Sequence, residues 1–452
     1  MIQTTQQGRR LFILLLGALL VLPAAPGRAT VLGATGRTFT LTARADTIST
    51  GDGDSMWMWG LGLGGGRMQY PGPTLIVTEG DSITVILRNQ LPVPVSLVFP
   101  GHSVTASGGT QGMLTREVPA ARPGVPGQAV VYRFTATHPG TFSYHSGTLP
   151  DLEVEMGLVG ALIVRPRGSP NQAYNDPASA FDREFLYLVT EADPVLHQQL
   201  AFSCLSAAGC DLASVDLTRR HPTDWFVNGR TFPDTMMDPF VAYLPTQPYN
   251  CAPMFHPGDR VLIRWVAGGA DLHPFHTHGQ NHLVIARDGR LLRTPGSAAP
   301  DLAVSDYTTT NVPGETVDAL WGPWTGERLG WDVYGTQDIN PHTCNAAPGS
   351  NFDPVSREYC PDHDKPLPVT LPSQSDVTYG VVGVGMWGGT PYLGVSGDVP
   401  PINPASSTQM NVVGGISFMW HSHAERELTT NNIFIGGMAT MALIVPVGTA
   451  IP

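Results

Sequence analysis

Short runs of alternating polar and apolar residues recur along the chain, and turns rich in Gly and Pro separate them. In the first third, Arg37–Ala45, Ser82–Asn89 and Ala129–Thr137 show this pattern, and His138-Pro139-Gly140 divides the last run from Thr141–His145. Successive side chains of a strand point to opposite faces, so alternation predicts half-buried strands. Strands that recur about every ten residues with turn signals between them favour a β-sandwich or barrel.

Composition agrees with such a fold and excludes several others. Gly (51) and Pro (41) make up about a fifth of the 452 residues, which argues against helical bundles, and 42% hydrophobic residues argue against wholesale disorder. Only 14% of residues are charged, the net charge is −12, and Lys365 is the single lysine. A nucleic-acid or anionic-membrane partner is therefore not expected. The five cysteines form no CxxC pair, so thioredoxin-like and zinc-ribbon folds are not expected either.

The N-terminus has the pattern of an export signal over residues 1–29. Arg9 and Arg10 precede the apolar run Leu11–Leu22, and small residues at Gly27 and Ala29 suit cleavage after Ala29. The apolar run is shorter than the roughly 20 residues needed to cross a bilayer. Its start resembles a twin-arginine signal. We therefore expect a periplasmic or extracellular protein with no membrane span in the mature chain, in which disulfides can form. An uncleaved anchor or a disordered leader is the alternative.

A repeated phrase predicts two copies of one fold. Thr78-Glu79-Gly80-Asp81 precedes the strand at Ser82–Asn89, and His256-Pro257-Gly258-Asp259 precedes a second strand pattern at Arg260–Val266. The predicted organisation is an N-terminal domain over 30–167, a polar, Pro-rich linker over 168–182, and a C-terminal domain over 183–452. Residues 290–410 are rich in Gly, Pro and Trp and are predicted to hold a long loop insertion.

Histidines concentrate in three segments, which predict a metal site. These segments are His273–Gly279 (HPFHTHG), Trp420–His423 and Tyr144–Ser146. Residues two apart on a strand face the same way, so His276 projects with His278 and His421 with His423. Two such pairs on neighbouring strands could converge on one or two ions, and imidazole suits copper, zinc, iron and nickel. Either pair alone could also be an ordinary surface pair.

These segments resemble motifs of the multicopper oxidase family. HPFHTHG is similar to the family's HPxHxHG, and His421–His423 with Gly436-Gly437-Met438 is similar to its closing HCH…GM segment. Gly140–Ser146 with Gly157–Ala161, Tyr70–Thr74 with Glu79–Asp81, and Trp225–Arg230 extend the resemblance to roughly residues 37–447. The resemblance implies two cupredoxin-like domains, each an antiparallel Greek-key β-sandwich.

The chain departs from the family pattern at positions that normally bind copper. Val98 and Pro100 replace the histidines of the first HxH segment, and Gly147 replaces the second histidine of the next segment. Ser422 occupies the place of the type 1 copper cysteine, and Glu427 the place of that site's second histidine. Because a type 1 centre relies on a thiolate, we expect no blue copper.

The resemblance implies a reduced ligand set for copper, with one or two ions rather than four. His145 and His423 would serve one type 3 copper, His278 and His421 the other, and His276 the type 2 copper. His102 and His273 are weaker candidates, and His273 could instead be a polar packing residue. Glu153 and Glu155 could add oxygen ligands, although solvent-facing charge is the simpler interpretation.

Three functions remain open at this stage. The resemblance implies a copper-dependent oxidoreductase that acts on a small-molecule reductant or a metal ion without a type 1 copper. The alternatives are a periplasmic protein that binds or sequesters copper without turnover, and a structural cupredoxin that holds no metal. Two-domain relatives commonly form trimers, so a homotrimer is expected. Cys344 with Cys360 is a plausible disulfide, and Cys204, Cys210 and Cys251 could supply one more pair and a free thiol.

Overall fold

The structure is a computed structural model that describes most of the chain. It covers residues 31–323 apart from 126, 206–209, 213–214, 257 and 298–299, and also 343, 345–349, 360, 416–444 and 451. The export signal expected at 1–29 lies outside the described residues. In the part of the chain that is described, no helix combines the length and apolarity needed to span a membrane.

The first half of the described chain is built from short strands and one turn of helix. Its elements are β1 (Ala34–Thr35), β2 (Thr38–Ser49), β3 (Ser55–Leu63), β4 (Gly72–Thr78), β5 (Ser82–Asn89), β6 (Thr105–Gly108), β7 (Thr110–Gln111), β8 (Arg116–Glu117), β9 (Ala129–Thr135), β10 (Gly140–His145), α1 (Pro150–Glu153) and β11 (Val159–Arg165).

These strands form a sandwich around an apolar core. One sheet has the order β1-β4-β11-β10 and the facing sheet the order β3-β2-β5-β9-β6, while β7 and β8 make a separate two-stranded ribbon. In β5, Ile83, Val85 and Leu87 are fully buried and alternate with more exposed residues. The alternation seen in the sequence therefore corresponds to one buried and one solvated face.

The second half repeats this construction with longer sheets. Its elements are β12 (Arg183–Ala192), α2 (Pro194–Cys204), β13 (Asp224–Val227), β14 (Met254–Phe255), β15 (Val261–Ala267), β16 (His273–Thr277), β17 (His282–Arg287), β18 (Arg290–Leu291), β19 (Val304–Asp306), β20 (Thr308–Asn311), β21 (Thr316–Trp321), β22 (Ile416–Ser422), β23 (Thr429–Thr430), β24 (Ile433–Phe434) and β25 (Ala439–Ile444).

Two sheets enclose the core of the second half. The larger has the order β18-β17-β21-β15-β12-β13-β23-β24, with β19 paired to β17, and the smaller has the order β14-β25-β22-β16-β20. Aromatic residues from both sheets fill the space between them, among them Trp265, Phe275, Trp321 and Trp420. Two β-sandwiches are thus confirmed as the fold class.

A buried polar network joins the two halves. Arg264 in β15 is fully buried; its Nε donates to Glu184 Oε2 at 2.9 Å and its Nη1 to Thr141 Oγ1 of β10 at 2.8 Å. Thr141 Oγ1 also donates to Asp318 Oδ1 of β21 at 2.6 Å. Tyr174 donates its hydroxyl to Asp318 as well, from within the predicted linker. The polar, Pro-rich segment 168–182 is therefore packed between the halves, although its composition is typical of a linker.

The predicted loop insertion and the predicted disulfides lie only partly within the described residues. Residues 290–321, assigned to the loop insertion over 290–410, contain β18 to β21, and most of the remainder lies outside the described residues. Cys204 and Cys210 form a disulfide and Cys251 is a buried free thiol. The Cys344–Cys360 pair falls partly outside the described residues, because Cys344 is not among them.

Candidate metal centre

Two adjacent antiparallel strands carry the histidine pairs. β16 and β22 pair in a register that sets His276 directly opposite His421. His278 and His423 follow the ends of these strands, and the backbone N–H of His423 donates to the Pro274 carbonyl at 2.8 Å. Strand parity puts Phe275 and Trp420 in the core, so His276 and His421 project from the opposite face of the sheet.

The four histidines, His276, His278, His421 and His423, are called the histidine cluster below. One ring nitrogen from each of His276, His278 and His421 lies within 4.8 Å of the others. The Nε2 atoms of His278 and His421 are 3.2 Å apart. The His423 ring centroid is 4.7 Å from that of His276 and 5.0 Å from that of His421. The two pairs predicted from the sequence therefore meet in one place.

Hydrogen bonds fix which nitrogen two of these rings present. His276 Nδ1 lies 2.6 Å from the Tyr307 carbonyl oxygen, and His421 Nδ1 lies 2.7 Å from the Ser422 carbonyl oxygen. A carbonyl only accepts, so both Nδ1 atoms carry the proton and both Nε2 atoms keep a lone pair. Backbone partners of this kind orient metal-binding imidazoles.

The surroundings favour the neutral form of His276, His278 and His421. Burial lowers the pKa of His276 and of His421. For His278, burial and the neighbouring histidines lower the pKa to about 4. Neutral imidazoles near pH 7 are ready to donate to a metal without first losing a proton. Their nitrogen chemistry fits copper or zinc, so the residues present fit the metal that the resemblance implies.

His145 lies elsewhere within the chain. It ends β10, is half-buried, and its Nδ1 donates to the Ser146 carbonyl at 2.9 Å. It lines a cleft of about 300 Å³ together with Ser143, Glu155 and residues 268–270. The three-residue group of converging nitrogens within the described residues does not include it.

The two halves repeat the same arrangement around a His-Ser pair. His145 Nδ1 binds the Ser146 carbonyl, as His421 Nδ1 binds that of Ser422. Each serine Oγ accepts the amide two residues on at 3.2 Å, and each serine N–H donates across the sheet at 3.0 Å. Val98 pairs with His145 in the first half as His276 pairs with His421 in the second. The structure thus places Val98 at the position that His276 fills in the other copy.

A buried ion triad lies where the resemblance implies a type 1 copper. His273 is fully buried, with Nε2 at 2.9 Å from Glu191 Oε2 and Nδ1 at 3.0 Å from Glu427 Oε2. Ser422 lies on the same core-facing side of its strand and is also buried. Although burial opposes the charged form, the hydrogen bonds that His273 donates to Glu191 and Glu427 raise its pKa to about 9. With a hydroxyl for a thiolate and no lone pair on His273, these residues do not fit a type 1 copper.

The weaker candidates lie apart from the histidine cluster. His102 packs its ring against Phe134 and Phe142 in the first half. Glu153 is fully buried and accepts from Ser146 Oγ, and burial raises its pKa to about 8. Glu155 is buried beside Arg220 rather than facing solvent. The solvated interpretation of both carboxylates is therefore wrong.

Sequence reasoning missed Glu191 and the carbonyl of Tyr307. Glu191 stands near the end of β12, with only strand residues around it in the sequence, and its partner His273 is 82 residues away. The Tyr307 contact comes from the pairing of β16 with β20. No local signal marks either residue.

Comparisons with known proteins find copper proteins among those similar to this chain. Residues 63–169 match the family model described as multicopper oxidase. Over 126 residues the chain is 39% identical to a copper-containing nitrite reductase of Alcaligenes xylosoxydans xylosoxydans, covering 27% of this chain and 34% of that protein. Over 102 residues it is 36% identical to laccase 1 of Metarhizium acridum (strain CQMa 102), covering 22% and 15%. The chain thus spans about a third or less of these curated relatives.

A solved structure extends the likeness to both halves. The blue copper oxidase from Nitrosomonas europaea aligns with a TM-score of 0.50 and 16% identity, over 90% of this chain and 86% of that one. At this identity the likeness concerns the fold, which is the two-domain cupredoxin-like architecture. Together, these comparisons show a segment of multicopper oxidase type over residues 63–169, copper proteins among the relatives, and the two-domain cupredoxin-like fold.

Proposed function

We propose that the protein is a copper-dependent oxidoreductase that acts on a small-molecule reductant or a metal ion and has no blue type 1 copper. The observation that carries this proposal is the convergence of the histidine cluster. The cluster lies close in sequence to His273 and Glu427, which with Glu191 occupy the place where the resemblance implies a type 1 copper. One or two copper ions would be held by His276, His278, His421 and His423.

The residues of the chain have distinct roles in this proposal. Copper, when bound, supplies one-electron redox chemistry. The Tyr307 and Ser422 carbonyls accept from Nδ1 of His276 and His421, so the Nε2 atoms of these two rings would bind the ion. Because Ser422 is not a cysteine, the reductant must deliver electrons close to the cluster rather than through a neighbouring thiolate. The exposed ring of Tyr307 against His276 marks one accessible side of the cluster.

Metal analysis of the purified protein tests this proposal. We expect one or two coppers per chain, no intense thiolate-to-copper absorption, and loss of copper in the double variant His421→Ala, His423→Ala. His221→Ala, which changes an exposed histidine outside the cluster, is the matched control. Oxygen uptake with phenols, Fe(II), Mn(II) or Cu(I), or reduction of nitrite, would establish turnover and identify the substrate class. An unchanged copper content in the double variant would refute the ligand assignment.

Copper binding without turnover is the second candidate. It is favoured by the filled type 1 position, because that position normally supplies electrons to the oxygen-reducing copper in the family that the chain resembles. A protein that binds copper through the cluster but shows no oxygen uptake or nitrite reduction with any of these reductants would support sequestration. A protein without bound copper and without affinity for it would point to a structural role.

We further propose that His145 completes the copper site from another copy of the chain, in a homotrimer. Within one chain His145 ends β10 in the first half, apart from the cluster in the second half. Mixing inactive His145→Ala chains with inactive His421→Ala, His423→Ala chains should restore some intact sites in mixed oligomers. A monomeric protein with full copper content would refute this arrangement.

Export is part of the proposal as well. Arg9-Arg10 followed by Leu11–Leu22 supports a signal that directs the protein to the periplasm or beyond. Fractionation of the producing cells and N-terminal sequencing of the mature protein should give a chain that starts after Ala29. A full-length chain in the cytoplasmic fraction would contradict it.

A further inference from the structure

Three charged side chains from separate elements meet beneath the histidine cluster. His273 begins β16, Glu191 lies near the end of β12, and Glu427 lies in a 3-10 turn at Glu425–Leu428. His273 has no exposed surface and each of its ring nitrogens faces a carboxylate oxygen, at 2.9 and 3.0 Å. A carboxylate only accepts, so both nitrogens are donors and His273 is an imidazolium.

Glu191 is itself held from several sides. Its Oε1 accepts the backbone N–H of Ala270 at 2.7 Å and that of Asp271 at 3.1 Å, and it also binds Arg220. A Cβ on Gly269 would come within 1.8 Å of Glu191 Oε2, so glycine leaves the room that the carboxylate occupies. Both oxygens of Glu191 are thus used as acceptors, one for the loop and one for His273.

Two of the three residues, His273 and Glu427, are connected to the cluster through the backbone. Pro274, next to His273, accepts the N–H of His423 at 2.8 Å. The carbonyl of Glu427 accepts the N–H of Met438 at 2.7 Å, and the Met438 carbonyl accepts that of Ser422 at 3.0 Å. A shift of His273 or Glu427 would therefore move the start of β16 and the turn after β22, which carry the histidine cluster.

We propose that Glu191, His273 and Glu427 form a charged clamp that positions the histidine cluster, in the structural place of a type 1 copper. The inference rests on the proposed function, because the clamp positions a copper site. Removing one member of a buried ion group leaves an uncompensated buried charge, which is strongly destabilising, so we expect the segments that hold the other members to rearrange. Groups that hydrogen-bond directly to metal ligands typically change metal affinity by about ten- to a hundredfold, and we expect the clamp, which acts through the backbone, to reach the lower end of that range.

Glu191→Gln is the decisive variant, and Glu184→Gln is its matched control. Both glutamates are fully buried in ion pairs on β12, but Glu184 binds Arg264, away from the cluster. An amide has one acceptor oxygen, so Gln cannot serve both His273 and the loop amides. We expect Glu191→Gln to weaken Cu(II) affinity by about tenfold or more, measured by chelator competition, and to alter the Cu(II) EPR spectrum. Glu184→Gln should lower the melting temperature without either change.

A graded series at Glu427 separates positioning from stability. Gln can keep one acceptor towards His273 Nδ1, whereas Leu cannot, so Cu(II) affinity should fall in the order wild type, Glu427→Gln, Glu427→Leu. The clamp is overturned when Glu191→Gln and Glu427→Leu both keep the affinity and EPR spectrum of the wild type.

A metal-free measurement keeps the clamp testable by itself. Long-range nitrogen–proton NMR of the metal-free protein should show that the imidazole chemical shifts of the cluster histidines differ from wild type in Glu191→Gln. In Glu184→Gln these chemical shifts should equal those of wild type. If the wild type binds no copper but the chemical shifts change in Glu191→Gln, the proposed function is refuted and the clamp is supported. If copper binds normally and the chemical shifts do not change in Glu191→Gln, only the clamp is refuted.

Discussion

Glu153 provides a quantitative test of how the first half is stabilised. It is fully buried at the end of α1, its Oε2 accepts from Ser146 Oγ, and its Oε1 has no partner among the described residues. Burial raises its pKa from 4.5 to about 8. The folded state therefore keeps a proton that the unfolded chain releases above pH 4.5, and the contribution of Glu153 to stability falls as the pH rises towards 8.

The size of this effect follows from the two pKa values. Each pH unit between them costs the folded state about 1.4 kcal/mol, so on the order of 4 kcal/mol is lost between pH 5 and pH 8. Glu153→Gln keeps an acceptor for Ser146 and cannot ionise. Relative to wild type, the variant should therefore gain on the order of 4 kcal/mol in free energy of unfolding over this range.

Urea unfolding of the metal-free protein at several pH values, followed by tryptophan fluorescence, measures this difference. Groups other than Glu153 titrate in both proteins and cancel in the comparison. Asp151→Asn is the matched control, because Asp151 lies exposed on the same helix and its charge is the smallest cause of the raised pKa of Glu153, so its replacement should change the pH dependence far less than Glu153→Gln. A difference between Glu153→Gln and wild type that stays constant from pH 5 to pH 8 would refute a buried, protonated Glu153.

Three other outcomes are expected. Ser422→Cys alone should give no blue copper, because His273 stays bound to Glu191 and Glu427. Ser422→Cys combined with Glu427→His frees one nitrogen of His273 and should give some blue absorption after copper loading. Equal absorption spectra of the two variants would contradict this. Burial and the neighbouring histidines lower the pKa of His278 to about 4. Cu(II) affinity, measured by calorimetry, should therefore stay nearly constant from pH 8 to pH 6 and fall below about pH 5. A steady loss of affinity from pH 7 downwards would contradict this. Cys251 is buried, and burial raises its pKa to about 12. An alkylating reagent should therefore label it only after unfolding, as measured by peptide mass spectrometry. Labelling of Cys251 in the native protein would contradict its burial.

Local patterns predicted the strands and the histidine pairs well. Ser82–Asn89 is a strand over the predicted range, because its alternation directly reports one buried face. The same period of two placed His276 with His278 and His421 with His423. Parity also explains why His273 differs from its neighbours, since it faces the core with Phe275.

Contacts between distant parts of the chain were not predictable. His273 binds Glu191 and Glu427, which are 82 and 154 residues away, and nothing in the flanking sequence marks these partners. Tyr174 lies in a polar segment predicted as a linker, but it is buried because Asp318 accepts its hydroxyl. Composition describes the segment and not the surface against which it packs.

The Arg264 network has a consequence for how the chain responds to ligands. Thr141 and Arg165 of the first half share hydrogen bonds or ion pairs with Arg264, Glu184 and Asp318 of the second. Separating the halves would expose these charged groups or leave them buried without partners. We therefore expect the described halves to unfold as one cooperative unit rather than one after the other. Copper bound at the histidine cluster would then also protect the first half from unfolding. Protease resistance of β2–β5 would report occupancy of a site to which these strands contribute no ligand.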